Sequence, residues 1–342
     1  MNAPSLVSGS FADDFFPFSL TRSLADFRCG ILTIREKWDL YLKNYPSFPD
    51  GISIPANIVP DSELMDSIIY GNIEPALEKA ARLAGLTDIL EFNKTEIKKD
   101  FELVTKDRSS APVSSTNKIT GSAIFIEPGA VVEHAYLNAT EGPIYIGANA
   151  LIMEGAMIRG PFAIGEKGVV KMGTKIYGAT SAGPHCVLGG EIKNSVIFGY
   201  SNKAHEGYLG DSVVGEWCNL GAGSSNSNIK NSGGSVKLWN PLNKSFLDAG
   251  LKCGLMMGDY SRSAINTSFN TGTAIGIACH VFGKGLAPSY LPSFSWGYDG
   301  EVYSFDKAIV HIGKWKKLKG FQMDNKEINQ LKYIFDQQMH LT

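Results

Sequence analysis

Apolar residues recur at every sixth position through the middle of the chain. From Ile146 onward, all eight positions in this frame are apolar: Ile146, Ile152, Ile158, Ile164, Val170, Ile176, Ala182 and Leu188. Because 44% of the residues are apolar, eight in succession is roughly a one-in-a-thousand coincidence. Glycine follows four of them: Gly147, Gly165, Gly183 and Gly189. The period returns in shifted frames, at Ile126 and Val132, at Val214 and Leu220, and at Ile275 and Val281.

A period of six argues against the common alternatives for this segment. Eleven glycines lie within residues 142–190, and each costs about 1 kcal/mol in a helix interior. The alternating segments of about 10 residues that a membrane barrel needs are not seen. A six-residue unit is typical of a triangular parallel β-helix, in which each face is a short strand and the inward aliphatic residue stacks on its copy three units later.

Residues 1–115 predict a reduced α/β domain. Apolar residues at helical spacing predict a helix over 31–44, and good helix formers followed by Gly85 predict another over 74–85. Residues 50–60 predict a short strand and turn.

The remainder divides into a linker, the β-helix and a helical extension. The stretch 109–118 is rich in Ser, Pro and Thr and predicts a linker. We expect the β-helix over 116–290. Residues 291–342 show helical periodicity and are expected to cap it. The expected fold class is α+β, mainly β.

Composition narrows the function classes. The net charge of -2, from 32 basic and 34 acidic residues, argues against a strongly basic surface, so no nucleic-acid partner is expected. No apolar run approaches the ~18 residues of a membrane span, and the N-terminus lacks the pattern of a secretory signal. We therefore expect a cytoplasmic protein without a membrane partner. The five scattered cysteines form no CxxC pair, which favours reduced, buried thiols and no metal site.

The hexad pattern resembles that of the hexapeptide-repeat acyltransferases, whose fold is a left-handed parallel β-helix. The resemblance covers about half of the chain. It implies a homotrimer with active sites between the coils of neighbouring subunits. The repeat is specific for the fold and only weakly specific for a function, because some hexapeptide proteins are structural.

Residues 201–228 read SNKAHEGYLGDSVVGEWCNLGAGSSNSN. They resemble the acetyltransferase domain of the bifunctional N-acetylglucosamine-1-phosphate uridylyltransferase/glucosamine-1-phosphate acetyltransferase family, in which K-A-x-H-x-x-Y-x-G-D precedes N-x-G-A-G and a later asparagine. The resemblance implies transfer of an acetyl group from acetyl-CoA to an amino-sugar 1-phosphate in nucleotide-sugar biosynthesis, with His205 as the base. Histidine suits that role because the amine must lose a proton as it attacks the thioester. The alternative is a surface histidine without a catalytic role.

The same resemblance implies a set of binding residues. Those for the sugar phosphate are Tyr208, Asn219, Asn228, Lys203, Lys193, Lys175 and Lys237. Acetyl-CoA would lie near Phe282 and Gly283. Turn asparagines and solvated surface lysines are the alternative interpretations, although lysine binds phosphate as a point charge. Residues 229–250 are longer and more polar than in the family, and predict a loop that covers the site or reaches a neighbour.

The N-terminal stretch 15–38 resembles part of the opening of sugar-1-phosphate nucleotidyltransferases. In that family a glycine-rich loop ending in Thr-Arg cradles the nucleotide phosphates. Thr21 and Arg22 match its end, but the glycine-rich half is missing and the region is about half the usual length of such a domain. Arg22 and Arg28 are candidates for binding a nucleotide, and Mg²⁺ would be required only if this activity were present.

Three functions therefore remain open from the sequence. The first is acyl transfer to an amino-sugar 1-phosphate. The second is sugar-1-phosphate nucleotidyl transfer, uridylyl or thymidylyl, with the β-helix serving for trimerisation. The third is a non-catalytic trimeric scaffold. Acetyl-CoA binding distinguishes the first from the others, and magnesium-dependent pyrophosphate exchange distinguishes the second.

Overall fold

The computed structural model describes residues 4–49 and 51–341, and its centre is a left-handed parallel β-helix. Short strands stack into three parallel sheets, called here the first, second and third faces. The first face contains β4 (Ile124–Ile126), β7 (Ile144–Ile146), β10 (Phe162–Ile164), β13 (Thr180–Ala182), β16 (Val196–Ile197), β19 (Val213–Val214), β23 (Leu255–Met257), β26 (Thr273–Ile275) and β28 (Tyr290–Leu291).

The other two faces are built in the same way. The second face contains β5 (Val131–Val132), β8 (Leu151–Ile152), β11 (Val169–Val170), β14 (Val187–Leu188) and β17 (Asn202–Lys203), and continues through Asn219 to β24 (Arg262–Ser263), β27 (His280–Val281) and β29 (Ser295–Trp296). The last strand, β30 (Glu301–Val302), pairs antiparallel with β29. The third face contains β3 (Lys118–Thr120), β6 (Tyr136–Asn138), β9 (Met157–Arg159), β12 (Lys175–Tyr177), β15 (Glu191–Lys193) and β18 (Tyr208–Gly210), followed by the pair β20 (Ser225–Asn226) and β25 (Ser268–Phe269).

The predicted six-residue frame is confirmed as the inward-facing set. Ile164 lies in register between Ile146 and Ala182 on the first face, and Val170 lies between Ile152 and Leu188 on the second. All eight residues of the frame belong to one buried core. The glycines that follow them bring backbones close together: a Cβ added at Gly165 would lie 2.7 Å from the carbonyl carbon of Gly183. This column therefore excludes larger residues.

The N-terminal segment is mostly helical. Its α-helices are α1 (Ile34–Asn44), α2 (Ser62–Ile69), α3 (Ile73–Lys79) and α4 (Leu86–Thr105); 3₁₀ turns span Ser10–Phe15, Phe18–Leu20 and Leu24–Asp26; and β1 (Ser5–Val7) pairs in parallel with β2 (Ser53–Pro55). Thr33 caps α1 in a capping box with Glu36. The helix predicted over 31–44 is confirmed from Ile34 onward.

The helix predicted over 74–85 is wrong in its second half. α3 ends at Lys79, and Leu83 then donates its N–H to the carbonyl of Asn57 at 3.0 Å. Because Leu83 is fully buried in this extended position, its burial favours a helix break. Gly85 caps the start of α4 instead of ending a helix, and α4 itself was not predicted.

The N-terminal segment packs against the first face. Phe198, which follows β16, contacts the rings of Phe18 and Phe27 at centroid distances of 5.2 and 5.5 Å. Asn93 of α4 accepts a hydrogen bond from the hydroxyl of Ser181 on β13 at 2.8 Å. The N-terminal segment and this face therefore share one hydrophobic core.

Two C-terminal helices, α5 (Phe305–Leu318) and α6 (Asn325–Leu341), lie over the later coils of the second face. The rings of His185, Tyr200 and Trp217 stack at successive corners, and Phe321 packs edge-on against all three. Lys319 donates to the side chain of Asn202 at 2.9 Å. The helical extension is confirmed. No helix within residues 4–49 and 51–341 is long and apolar enough to cross a membrane.

Residues 229–250 leave the coil, as predicted, and form the hairpin of β21 (Lys237–Asn240) and β22 (Ser245–Asp248). Asn240 donates to the carbonyl of Asp13 at 2.8 Å, and Asn243 donates to the carboxylate of Asp14 at 2.6 Å. The hairpin is therefore held against the N-terminal segment.

Candidate functional site

Polar side chains meet at the end of the third face. Tyr208 lies on β18, and the corner after it places Asp211 in the left-handed region with a φ of 48°, which Asp tolerates better than most residues. Asn228 donates to the Tyr208 hydroxyl at 3.2 Å and also to Asp211. Both amide hydrogens of Asn228 are thus engaged, and Tyr208 keeps its own O–H for a ligand.

Asp211 is the centre of this cluster. Asp211 is 4% exposed, and its carboxylate also accepts a hydrogen bond from Asn194 at 2.7 Å. Burial, and then the charge of Asp211, raise the pKa of Tyr208 to about 12. Tyr208 therefore stays protonated near neutral pH and acts as a hydrogen-bond donor.

Gly210 allows the Tyr208 ring to take this position. A Cβ added at Gly210 would lie 2.2 Å from the Tyr208 hydroxyl and 2.4 Å from its Cζ. The ring therefore lies directly over the Gly210 backbone. Gly210 therefore leaves room for the Tyr208 ring, and Asp211 orients Asn228, which donates to the Tyr208 hydroxyl.

Two of the predicted phosphate-binding lysines lie on the same face. Lys175 on β12 is in register with Glu191 on β15, which in turn is in register with Tyr208. The ammonium of Lys193 lies 5.6 Å from the centroid of the Tyr177 ring, and the Tyr177 hydroxyl donates to Glu191 at 2.6 Å. The structure thus places both lysines within two strands of Tyr208.

His205 lies at the corner between the second and third faces. Its side chain is exposed, and none of the hydrogen bonds formed within residues 4–49 and 51–341 involves the imidazole. The glycine-rich turn 221–223 of the next coil runs beside this corner, where Gly223 N–H donates to the carbonyl of Glu206 at 3.0 Å. The imidazole is open to ligands, and no side chain of the described residues orients it.

Lys203 lies inside the β-helix instead of at its surface. It is in register with the inward residue Leu188 and is 2% exposed. Its ammonium donates to the carbonyl of His205 at 2.6 Å and to that of Gly189 at 3.3 Å. Burial lowers the pKa of Lys203 to about 8. Direct contact with a sugar phosphate is therefore incompatible with its position, contrary to the expectation from the motif.

Asn219 is separated from the other predicted substrate ligands. It bridges between β17 and β24 on the second face, and its side chain accepts a hydrogen bond from Asn202 at 3.2 Å. Arg262, the next residue in this row, lies under the Trp315 ring of α5 at 5.1 Å. Within one chain, Asn219 and Tyr208 therefore occupy different faces.

Two of the three remaining candidates, Lys237 and Gly283, are occupied by contacts within the chain. Lys237 forms an ion pair with Asp248 across the hairpin at 2.8 Å. Phe282 is partly exposed, but Gly283 is covered: a Cβ added there would lie 2.2 Å from the ring of Tyr298. The structure therefore does not bring Lys237 to the third face, and Gly283 does not form an open cradle for acetyl-CoA.

The arginine of the nucleotidyltransferase-like motif is neutralised by the β-helix. Arg22 pairs with Asp259 and, at 3.2 Å, with Glu216, while Thr21 donates to Asp259 at 2.7 Å. Burial alone would lower the pKa of Arg22, but the two carboxylates raise it above its usual range. Arg28 is buried and donates to the carbonyl of Phe198 at 3.1 Å. Both arginines thus attach the N-terminal segment to the first face.

Among residues 4–49 and 51–341, no group of three or more His, Cys, Asp or Glu side chains is arranged to hold a metal ion. All five cysteines are free and buried, as expected.

Asp211, Asn194, Glu191 and Gly210 complete the site and were not predicted as functional. Asp211 and Gly210 were visible in the motif, but the sequence carried no sign of what they contact. Asn194 and Asp211 both have a positive φ. An asparagine or aspartate at equivalent corners of successive coils is the signal that marks them.

Comparisons with known proteins match both parts of the chain. The family model described as sugar nucleotidyl transferase matches residues 5–49. A bifunctional protein GlmU from a Nostoc species is 26% identical over 259 residues, which are 73% of this chain and 48% of the relative. The protein GlmU from Methanocaldococcus jannaschii is 28% identical over 117 residues, 34% of this chain and 28% of the relative.

A third relative has a more explicit name. The bifunctional sugar-1-phosphate nucleotidylyltransferase/acetyltransferase of Sulfurisphaera tokodaii is 34% identical over 92 residues, which are 27% of this chain and 23% of the relative. The chain thus spans less than half the length of each of these three relatives. Together the matches show that this chain is similar to bifunctional GlmU proteins over part of their length.

Proposed function

We propose that this GlmU-like chain transfers an acetyl group from acetyl-CoA to the amine of an amino-sugar 1-phosphate. The observation that supports this proposal is the cluster at the end of the third face. Tyr208, oriented by Asn228, lies on the same face as Lys193, one strand away, and Lys175, two strands away, with His205 exposed at the adjacent corner. Hydroxyl and cationic groups of this kind bind a sugar and its phosphate, and an exposed imidazole accepts a proton.

The proposed reaction is a direct transfer. The amine nitrogen attacks the thioester carbonyl carbon, so that an N–C bond forms and the C–S bond breaks. His205 removes the proton that the amine loses, and the departing thiolate is protonated to coenzyme A. Tyr208 donates its O–H to a sugar oxygen, while Lys175 and Lys193 bind the 1-phosphate. Positioning the two substrates supplies much of the remaining rate enhancement.

Nucleotidyl transfer has less support, although the family model matches the N-terminal segment. Arg22, which would neutralise nucleotide phosphates, already faces Asp259 and Glu216. A phosphate approaching this arginine would meet both carboxylates. We therefore propose that these N-terminal residues now serve to attach the segment to the β-helix.

We also propose that the chain forms a homotrimer through the early coils of the second face. Outward aliphatic residues form a column there: Val131, Leu151, Val169 and Val187, with Val131 51% exposed. Such a column is a candidate for contact between copies.

Val131→Asp should shift the mass measured by light scattering at micromolar concentration towards the monomer. Val310→Asp, at a valine of α5 that is 53% exposed, is the matched control; a monomeric parent chain would reject the proposal.

The catalytic proposal is tested by following thiol release from acetyl-CoA with glucosamine 1-phosphate as the acceptor. His205→Ala should lower the rate at least ~100-fold, the usual contribution of a general base. His134→Ala changes another exposed histidine, at a corner of an earlier coil, and should leave the rate unchanged. If the parent chain shows no turnover, acyl transfer to the free sugar 1-phosphate is wrong; if His205→Ala is as active as the parent, His205 is not the base.

A further inference from the structure

The third face carries a groove on the coils that precede the candidate site. It has a volume of about 390 Å³ and is lined by residues of β3, β6, β9 and β12, a size within the range of small-molecule sites. Its floor is apolar and includes Tyr136 and Met157, which are 57% and 44% exposed. Lys118, Arg159 and Lys175 border it. The groove thus combines an apolar, partly aromatic floor with a cationic edge.

The groove is continuous with the site along one row of outward residues. The register runs from Tyr136 to Met157, Lys175, Glu191 and Tyr208 on successive strands. With strands about 4.8 Å apart, the four steps from Tyr136 to Tyr208 cover about 19 Å. A hexose with one phosphate covers about two of these steps, or ~10 Å. A sugar 1-phosphate held at Tyr208 would therefore reach only to Lys175 at the border of the groove and would leave the floor around Tyr136 and Met157 empty.

Basic side chains outnumber acidic ones on the third face, where Lys118, Arg159, Lys175 and Lys193 each lie on a different strand. The carboxylates near these cations are Glu141, 3.3 Å from Arg159, Glu191, which is in register with Lys175 and accepts from Tyr177, and Asp211, which accepts from Asn194 and Asn228. Lys118 and Lys193 form no ion pair within the described residues. An anion that extends beyond one phosphate would be stabilised on the groove side of Tyr208.

We infer that the acceptor is a nucleotide-linked amino sugar, whose sugar 1-phosphate unit lies at Tyr208 and whose nucleoside lies on the floor of the groove. The second phosphate of the diphosphate would lie towards Arg159, and the base would stack on the exposed Tyr136 ring, since aromatic side chains bind the faces of bases. The inference deepens the proposed function and rests on it for the amine chemistry, but not for the binding of the nucleotide.

The test measures binding of uridine diphosphate to the full chain by calorimetry, without acetyl-CoA. The parent chain should bind uridine diphosphate at least tenfold more tightly than inorganic phosphate. Tyr136→Ala should weaken the uridine diphosphate complex at least tenfold and leave phosphate binding unchanged. Tyr70→Ala, at a tyrosine that is 82% exposed in the N-terminal segment, is the matched control and should bind like the parent.

Two results would overturn the inference. One is a uridine diphosphate affinity no higher than that of inorganic phosphate; the other is equal affinity in Tyr136→Ala and Tyr70→Ala. Neither depends on catalysis. If the chain transfers acetyl groups but fails this binding test, the proposed function stands and the nucleotide inference is wrong. If the chain binds the nucleotide through Tyr136 but transfers no acetyl group, the proposed function alone is wrong.

Discussion

Replacing Lys203 with methionine should keep or raise the free energy of unfolding near neutral pH and lower it at alkaline pH. The Lys203 side chain lies in the interior stack beside Leu188, is 2% exposed, and meets only the carbonyls of Gly189 and His205 among its described hydrogen-bond partners. Burial lowers its pKa from an ordinary 10.5 to about 8. The folded chain must therefore hold a cation in an apolar interior at pH 7, or lose its proton.

The pKa difference sets the size of the effect. A change from 10.5 to about 8 corresponds to about 3 kcal/mol of unfolding free energy. Between those two values the unfolded chain binds more protons than the folded one, so the contribution of Lys203 to stability rises with pH across that window. Below pH 8 the penalty is complete, and above 10.5 it has disappeared.

Methionine removes the penalty but also removes two hydrogen bonds. The carbonyls of Gly189 and His205 would lose their donor, which costs about 1–3 kcal/mol for buried polar groups. At pH 7 the Lys203→Met chain should therefore be as stable as the parent or up to ~2 kcal/mol more stable. At pH 10.5 it should be less stable by about 1–3 kcal/mol.

Urea unfolding of both chains at several pH values from 7 to 10.5, followed by circular dichroism, measures this difference directly. Groups common to the two chains cancel in the comparison. Lys307→Met, on the exposed side of α5, controls for the loss of one positive charge. A difference between parent and Lys203→Met that stays flat across the window would refute the reasoning, because Lys203 would then not change its protonation on folding.

Two other substitutions test the remaining contacts. Gly210→Ala should raise the KM for the acceptor at least tenfold (about 1.4 kcal/mol), because its Cβ would lie 2.2 Å from the Tyr208 hydroxyl; an unchanged KM measured by thiol release would show that the Tyr208 ring position does not matter. Arg22→Ala should lower the free energy of unfolding by about 3–5 kcal/mol, since it leaves the carboxylate of Asp259, which is 1% exposed, without its cation and also removes the partner of the partly exposed Glu216. Urea titration tests this, and a loss below ~1 kcal/mol would contradict the attachment role.

The hexad frame could be predicted because stacking of aliphatic residues repeats without change over the early coils. After Leu188 the coils become shorter, and Ala182 is in register with Ile197, only 15 residues on. Counting by six from Ile197 would have placed Lys203 and Leu209 inside. Each shortened corner shifts the inward positions along the sequence. A count by six from Ile146 therefore no longer falls on inward residues where the candidate site begins.

Contacts between distant segments could not be predicted from local patterns. The pairing of Thr21 with Asp259 joins residues 238 positions apart, and nothing near either residue indicates it. The break after Lys79 likewise depends on Leu83 being buried against Asn57, a tertiary effect that overrides helix propensity. The motif around His205 indicated the region of the site, but not that Lys203 and Asn219 would lie away from Tyr208.

The interior of the β-helix departs from its aliphatic rule at the coils that carry the site. Lys203 occupies an inward position and its ammonium holds the carbonyl of His205 at 2.6 Å. Asn226, the inward residue of β20, accepts from the N–H of Gly210 at 2.9 Å and donates to its carbonyl at 3.0 Å. From inside the β-helix, Lys203 thus binds the backbone of His205, and Asn226 binds the backbone of Gly210, against which the Tyr208 ring packs. Such substitutions lower stability, and a sequence breaks its own local pattern most often where function requires it. The two departures therefore lie at the two ends of β18, the strand that follows His205 and carries Tyr208.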